Sequence, residues 1–382
     1  MIARALRALL ITVLVLAAVL AAVLKWRYGG GADFPDRSGT PRLPATALEK
    51  VADLPMPPGN LAVALDGTVY ATLHPEARPA DKLIRLTDSG YLPFPNAAWQ
   101  DEANYPDAFQ NLLSIRIDRQ GRLWALDNGH HGASAPRLIR FPPGADAPDL
   151  VHTFADGLAG LGSHYNDFQV SPDGRHVYIA DASFFAQDPA LVVLDVEART
   201  ARRLLAGHPS VVADDYTPVV QGRRMEVFGL VSIRPGVDSI VLDRRGEWLY
   251  FAPVTDLNLY RVRTRDLRDA SLSAADLAGR VEVHAAKTMS DGLSIDDAGN
   301  IYISDLEHSA IVSLRPDRSL ETVIADPRLR WPDGFSFGPE GWLYVSCSAL
   351  HQFIGRLPGQ IADAGPFQIY RVWTGQTAWP GH

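Results

Sequence analysis

Six times along this chain an apolar run meets a tight turn that ends in glycine, with an aromatic residue three or four positions further on. The glycines are Gly67, Gly121, Gly174, Gly246, Gly299 and Gly341, and the aromatic residues are Tyr70, Trp124, Tyr178, Tyr250, Tyr302 and Tyr344. A single hairpin of this kind cannot bury its apolar face, so the copies must stack, and repeats of about 40 to 50 residues of this type are propeller blades. The expected fold class is therefore all-β: a six-bladed β-propeller behind an N-terminal hydrophobic membrane helix. Ring closure leaves one axial channel and two loop-bearing faces, which is where function should lie.

Blade three shows four strands in the open, DFQVS, HVYIAD, LVVLDV and ARRLLA, separated by the turn sequences SPDG and EART. Blade six shows three. The segment LEKVADL, residues 48–54, lies upstream of blade one and has no other use, so it is expected to supply the fourth strand and close the ring. Successive turn glycines are spaced by 54, 53, 72, 53 and 42 residues, so one repeat carries an insertion, between Gly207 and Val237. Within it VVQGRRMEV reads as a small hairpin that either serves function or pads a blade edge.

Ala8–Leu24 is an apolar run of 17 residues, preceded by Arg4 and Arg7 and followed by Lys25, Trp26, Arg27 and Tyr28. Its length lies between a signal-peptide core and a spanning helix, but the interfacial Trp26 and Tyr28 favour an uncleaved anchor. The domain division expected is a signal-anchor or transmembrane segment over 1–28, a flexible tether over 29–47 and the propeller over 48–382. The folded part is expected outside the cytoplasmic membrane, anchored or secreted, and periplasmic in a Gram-negative cell. Beyond residue 27 the chain holds 32 basic against 44 acidic residues, which argues against a nucleic-acid partner. The single cysteine, Cys347, excludes an intrachain disulfide and reads as a small buried residue. Oligomeric state is not legible.

Five segments in order, LLSIRIDRQGRLWALDNG (112–129), YNDFQVSPDGRHVYIADAS (165–183), WLYFAPVTDLNLYRV (248–262), SDGLSIDDAGNIYISDLEHSAI (290–311) and RWPDGFSFGPEGWLYVSCSALHQ (330–352), resemble the major royal jelly protein/yellow family. The resemblance implies a six-bladed propeller, in agreement with the repeat count. It leaves function open, because members range from abundant secreted and amine-binding proteins to pigment-pathway proteins linked to dopachrome conversion. YND (165–167) and SDGLSID (290–296) carry a more distant resemblance to the gluconolactonase/regucalcin hydrolases.

The inner strand of each blade begins on the face where the second strand ends, so two residue sets should meet at one channel mouth. Asn166, Asp238, Asp291 and Asp333 stand eight residues before their turn glycines, and Asn60 takes the same place in a shorter turn. The second-strand ends supply His74, Asp127, Asn128, His130, His131, Asp181, Asp305, Glu307, His308 and His351. Crowded carboxylate and amide oxygens suit a hard divalent cation such as Ca²⁺ or Mg²⁺. Any one Asp or Asn could instead satisfy local backbone N–H groups.

The hydrolase resemblance implies metal ligation by Asn166 and Asp291. Glutamate is the expected first-blade ligand, and Asn60 stands there instead, as the nearest oxygen donor. Asp305, Glu307 and His308 form a dense group readable as an acid/base set beside Asp291, which together make the catalytic candidates. Asp238, Asp333, Asp127, Asp181 and His351 are the remaining ligand-binding candidates. His130 and His131, in the glycine-flanked loop NGHHGAS, read as solvent-exposed. Phe184 and Phe185, like Trp331, offer either an apolar wall to an aromatic ligand or packing beneath their loops. Gly334–Gly338 matches the G-x-S-x-G nucleophile pattern, but here it forms a first strand, so Ser336 is not a nucleophile.

The function expected is binding of a small polar or aromatic ligand at the channel mouth. Three classes remain: a metal-assisted, lactonase-like hydrolase, a tautomerase resembling the dopachrome-converting proteins, and a non-catalytic binder.

Overall fold

A computed structural model describes residues 2–380. Among them are six four-stranded antiparallel sheets, with inner strands Pro58–Val63, Leu112–Ile117, Tyr165–Val170, Val237–Leu242, Leu293–Ile295 and Pro332–Phe337. They are the six blades. Each inner strand passes through the repeated turn, where the six glycines all have positive φ, from 67° to 86°. That left-handed conformation is open to glycine at little steric cost, which is why the turn residue recurs.

The aromatic residue of the repeat joins neighbouring blades. Trp124 of blade two packs with Phe168 and Val177 of blade three, Tyr178 with Ile240 and Phe251 of blade four, and Tyr250 with Leu293 and Ile303 of blade five. Tyr302 meets Phe337 of blade six edge-on at 5.3 Å between ring centroids, Tyr344 packs with Leu61 and Val69 of blade one, and Tyr70 against the blade-two cluster of Ile115 and Leu123. Six apolar clusters thus correspond to six blade interfaces. The core is a ring of seams around the channel.

Residues Leu48–Leu54 close that ring. They pair antiparallel with Phe367–Trp373, from Leu48 opposite Val372 to Leu54 opposite Phe367, with a bulge between Lys50 and Ala52. Blade six therefore joins both ends of the propeller, as the missing fourth strand required. Leu48 and Leu54 face inward and are buried.

The apolar N-terminal run is a helix from Ile2 to Tyr28, long and apolar enough to span a membrane. Residues 29–47, read from sequence as a flexible tether, lie along the propeller. Ala32 bridges to Tyr216, Phe34 is buried, and Arg37 donates to the Leu257 and Lys287 carbonyls at 2.7 and 2.9 Å. Arg42 and Leu43 then donate from their backbone to the Thr322 and Val323 carbonyls. The insertion forms two small hairpins, Val219–Val220 with Arg223–Arg224 and Glu226–Val227 with Val231–Ser232. A second excursion, unforeseen from sequence, carries the short helices Leu350–Phe353 and Pro358–Asp363 in blade six.

Near the axis the inner strands approach closely. A β-carbon on Gly292 would collide with the carbonyl oxygen of Asp333 in the neighbouring blade. Gly292→Ala is accordingly expected to destabilise the protein by about 1–3 kcal/mol, read as a lower urea midpoint. An unchanged midpoint would contradict this close contact between blades five and six.

Candidate functional site

Five of the six inner strands open with a register shift: between Pro58 and Leu61, Leu112 and Ser114, Tyr165 and Phe168, Val237 and Ser239, and Pro332 and Phe335. A β-bulge re-aims the side chain it carries, and here the bulges fall on the ring positions. Second-strand hydroxyls fix them: Thr72 Oγ1 accepts from the Asn60 N–H at 2.9 Å, and Ser346 Oγ from Gly334 N–H at 2.9 Å. In blade five Ser304 Oγ accepts from both Asp291 and Gly292, at 2.8 and 3.0 Å. Thr72 in turn donates to the Leu113 carbonyl of the next blade at 2.6 Å, and Ser346 to that of Gly59 at 2.5 Å.

Asn166, Asp238, Asp291 and Asp333 are thereby brought to one cavity of about 590 Å³ at the channel mouth, with Leu113 in the blade-two position. Its walls are largely apolar. Phe184 and Phe185 come from blade three, Val227, Val231 and Ile233 from the insertion, and Trp331, Leu350, Phe353 and Ile361 from blade six. Both phenylalanines and Trp331 therefore line the site, although Trp331 is also packed with Phe34 and Met289.

Burial of the ring carboxyls opposes their ionisation. Asp291 is pushed up to about 6 by burial, even though Trp331 Nε1 donates to its Oδ2 at 2.5 Å. Asp238 and Asp333 lie well above the ordinary carboxylate range, first through burial and then through the charges of Asp291 and Asp167. Lys287, fully buried, is brought down to about 7 by desolvation, and its Nζ donates to the Val254 and Thr288 carbonyls at 2.9 and 3.1 Å.

Beneath the ring, Arg116 of blade two crosses the channel. Its guanidinium reaches Asn60 Oδ1 at 3.3 Å in blade one, Asp167 Oδ2 at 3.2 Å in blade three and the Phe335 carbonyl at 3.4 Å in blade six. Asp167 also accepts from Asn60 Nδ2 at 2.8 Å and Ser114 Oγ at 2.9 Å. Burial raises its pKa, with Arg116 acting in opposition. Asn60, expected as a metal ligand, is therefore engaged on both its oxygen and its nitrogen and does not line the cavity. Among the described residues, no three His, Cys, Asp or Glu groups are placed to hold a metal ion together. The donor set does not fit the expected divalent cation, because its first-blade oxygen is bonded to a guanidinium.

Several second-strand candidates are structural. Asp127 accepts from Gln110 N–H at 2.8 Å and Asn111 N–H at 2.9 Å, and pairs with Arg137 at 2.8 Å. Asp181 repeats the device one blade on, accepting from His164 N–H at 2.8 Å, and burial pushes it up to about 6. Each holds the loop that enters its own inner strand. Asp305 bonds His308 Nδ1 at 2.9 Å, and His308 Nε2 lies 3.3 Å from Asp36 in the N-terminal segment. Glu307 accepts from Val219 N–H at 2.8 Å, fastening the insertion. His351 stacks on Trp331 and meets Gln221 Oε1 at 3.2 Å. Asp127, Asp181, Asp305, Glu307, His308 and His351 thus stand outside the cavity lining.

A second polar group on the wall was not foreseen from sequence. His131 Nε2 lies 2.6 Å from Glu76 Oε1, and His74 and His164 line the cavity beside them. His131 is a correction to its solvent-exposed reading, which holds for His130, bonded to Glu102. Burial would raise Glu76, but the hydrogen bond and charge of His131, with His74 and His164, outweigh it and hold Glu76 at about 2. Burial lowers His74 to about 4 and His164 to about 3, keeping both neutral at physiological pH. Glu76 stands two residues beyond a second-strand end and His164 directly before an inner strand; only these offsets could have marked them.

Solved structures with the same architecture include a luciferin-regenerating enzyme, at 12% identity and TM-score 0.56 over 87% of this chain and 97% of that one. A calcium-binding protein, regucalcin, from Agrobacterium tumefaciens aligns at 14% identity and TM-score 0.53 over 86% and 95%. A gluconolactonase from Xanthomonas campestris aligns at 13% identity and TM-score 0.53 over 90% and 98%. At such identities the likeness is one of fold. No curated protein sequence matches the chain. Residues 157–355, just over half the chain and spanning blades three to five, the first two strands of blade six and parts of the mouth's walls, match the family described as Major royal jelly protein. Together with the six blades, this match makes the chain a member of the major royal jelly protein family.

Proposed function

We propose that the propeller binds a small molecule at this mouth, its aromatic or aliphatic body against Phe184, Phe185, Val231 and Phe353 and its cationic or hydrogen-bond-donating end on Asp238, Asp291 and Asp333. One observation carries the reading: an apolar cavity whose floor holds three buried carboxyl groups that resist ionisation. A cation delivered among them would supply the counter-charge that burial withholds. The cavity size lies within the range of small-molecule sites, about 300–1,000 Å³. The Ile2–Tyr28 helix supports an anchored propeller outside the cytoplasmic membrane, with Arg4 and Arg7 on the cytoplasmic side.

The Glu76–His131 pair favours a second reading, acid–base catalysis on the bound molecule by a hydrolase or isomerase. His131 would exchange the proton and Glu76 would hold the ring. Turnover of an aryl lactone that is lost in His131→Ala while ligand binding persists would support it; equal turnover in the variant would exclude that role. The metal-assisted form of lactone hydrolysis draws less support, since Asn60 is bonded to Arg116 and Asp167.

Calorimetry with phenethylamine and its neutral counterpart phenethyl alcohol tests the binding reading. The amine is expected to bind more tightly, to weaken as pH falls through about 6 as Asp291 takes up its proton, and to lose its advantage in Asp291→Asn. Preference for the alcohol at neutral pH would overturn the reading.

A stability test is independent of any ligand. A carboxyl whose folded pKa exceeds its unfolded value holds more protons when folded, so stability is fully present below the unfolded pKa and is lost as pH rises through the folded one. For Asp291 that window runs from 3.8 to about 6. Asp238→Asn is accordingly expected to stabilise the protein by about 0.5–2 kcal/mol at about pH 8, measured by urea denaturation. Destabilisation of that size would show that the carboxylate is satisfied by partners in the folded protein.

A further inference from the structure

The last turn of the N-terminal helix is bonded to the rim of the cavity. Lys25 Nζ donates to the Gly229 carbonyl at 2.9 Å, Arg27 Nη2 to that of Ala186 at 3.0 Å, and the Tyr28 hydroxyl to that of Phe185 at 2.7 Å. In the other direction Gln187 Nε2 donates to the Arg27 carbonyl at 3.2 Å, and Arg234 Nη2 to that of Gly29 at 3.2 Å. Phe185 lines the cavity, and Gly229 follows Val227, another lining residue, by two positions. Thr217 Oγ1 bonds the Gly30 carbonyl at 2.5 Å and Ala32 bridges to Tyr216, so little slack separates helix from propeller.

A helix of 27 residues is about 40 Å long, enough to cross a hydrocarbon core of about 30 Å. With its end fastened to the rim, a spanning helix brings the mouth to headgroup level. The side chains there suit that depth. Phe228 is 86% exposed, Leu161 81%, Leu357 72% and Phe185 49%, and Trp26 at the helix end is 85% exposed. Single exposed apolar residues need no explanation, but these come from the helix and four separate loops and gather around one opening. Phe185 and Leu357 line the cavity, Leu161 flanks Phe185 and His131, and Phe228 lies between Val227 and the Gly229 that holds Lys25. Exposed Arg78 and Arg356 also line the opening, so cations gather on this face of a chain with formal charge −8. Of the exposed acids on the segments around the opening, Asp33 and Asp215 are paired with Arg224 and Arg234, Asp188 with Arg203 and Glu76 with His131. Apolar tips among basic groups are the composition of a surface that rests on anionic lipid.

We infer that the cavity mouth is seated on the bilayer that holds the N-terminal helix, with Phe228, Leu161, Leu357 and Phe185 in the interface, and that the cavity takes its ligand from the lipid. The seating stands on the helix–rim geometry, the exposed side chains around the opening and the helix as a retained span; the uptake rests also on the proposed ligand-binding reading. The ligand class narrows to amphiphiles that partition into membranes.

Seating is tested with the full-length protein in nanodiscs of phosphatidylcholine and phosphatidylglycerol. Phe228→Cys and Leu357→Cys, each carrying an environment-sensitive fluorophore, are compared with Leu65→Cys, in the exposed turn at the far end of blade one's inner strand; the native Cys347 is buried. Doxyl-labelled lipid is expected to quench the two rim labels several-fold more than the Leu65 label. Equal quenching at all three overturns the seating. So does unquenched rim fluorescence with energy transfer between labelled copies, which would make the rim a protein–protein contact. Uptake is tested separately with membrane-dissolved N-dodecylphenethylamine, expected to raise the melting temperature of the native protein but not of Asp291→Asn. Rim quenching without that shift overturns uptake and leaves the seating in place.

Discussion

The apolar seam between adjacent blades is the interaction on which the rest of this molecule depends. Each seam sets the repeat aromatic of one blade into the next, as Trp124 does with Phe168 and Tyr302 with Phe337. Six such contacts give a ring only if the last blade meets the first, and Leu48–Leu54 provides that closure from the opposite end of the sequence. The channel mouth is a product of closure. Asn166, Asp238, Asp291 and Asp333 are far apart in sequence and share a cavity because consecutive inner strands converge on one axis.

That convergence carries an electrostatic cost which the fold offsets only in part. Asp167 is matched by Arg116, Asn60 and Ser114, so the lower layer of the channel forms a bonded cluster with a built-in cation. The upper layer is different: Asp238, Asp291 and Asp333 face the cavity with raised pKa values. Buried groups that cost stability and point into a cavity mark functional sites more often than structural ones. The walls continue the pattern, since the insertion, the blade-six helices and the N-terminal segment all pack on the mouth face.

Much of this was legible in the sequence because the fold is periodic. The turn glycines and aromatics gave the blade number, the lone surplus strand gave the closure, and a constant offset from each glycine gave Asn166, Asp238, Asp291 and Asp333, since a bulge recurs at this place in the strands of Asn166, Asp238 and Asp333 and Ser304 holds Asp291 at the equivalent place in blade five. The second-strand ends misled. Asp127, Asp181 and Asp305 also recur, but their carboxyls are taken up by local amides, an arginine or His308. Periodicity marks a position; it does not say which way a polar group finds its partner. The cavity walls were least legible, because Glu76, His131 and His164 meet through three loops of unrelated length, and nothing in NGHHGAS separates the inward His131 from the outward His130.

The central claim is that buried, partly protonated carboxyl groups at the mouth receive the cationic end of an apolar molecule. Proton exchange on binding tests it most directly, by calorimetry of phenethylamine in buffers of different ionisation enthalpy at about pH 6, where Asp291 is half titrated. Net proton release, as the cation draws the ring carboxyls into their charged form, is the result this account predicts. Binding with no exchange, or with proton uptake, would contradict it.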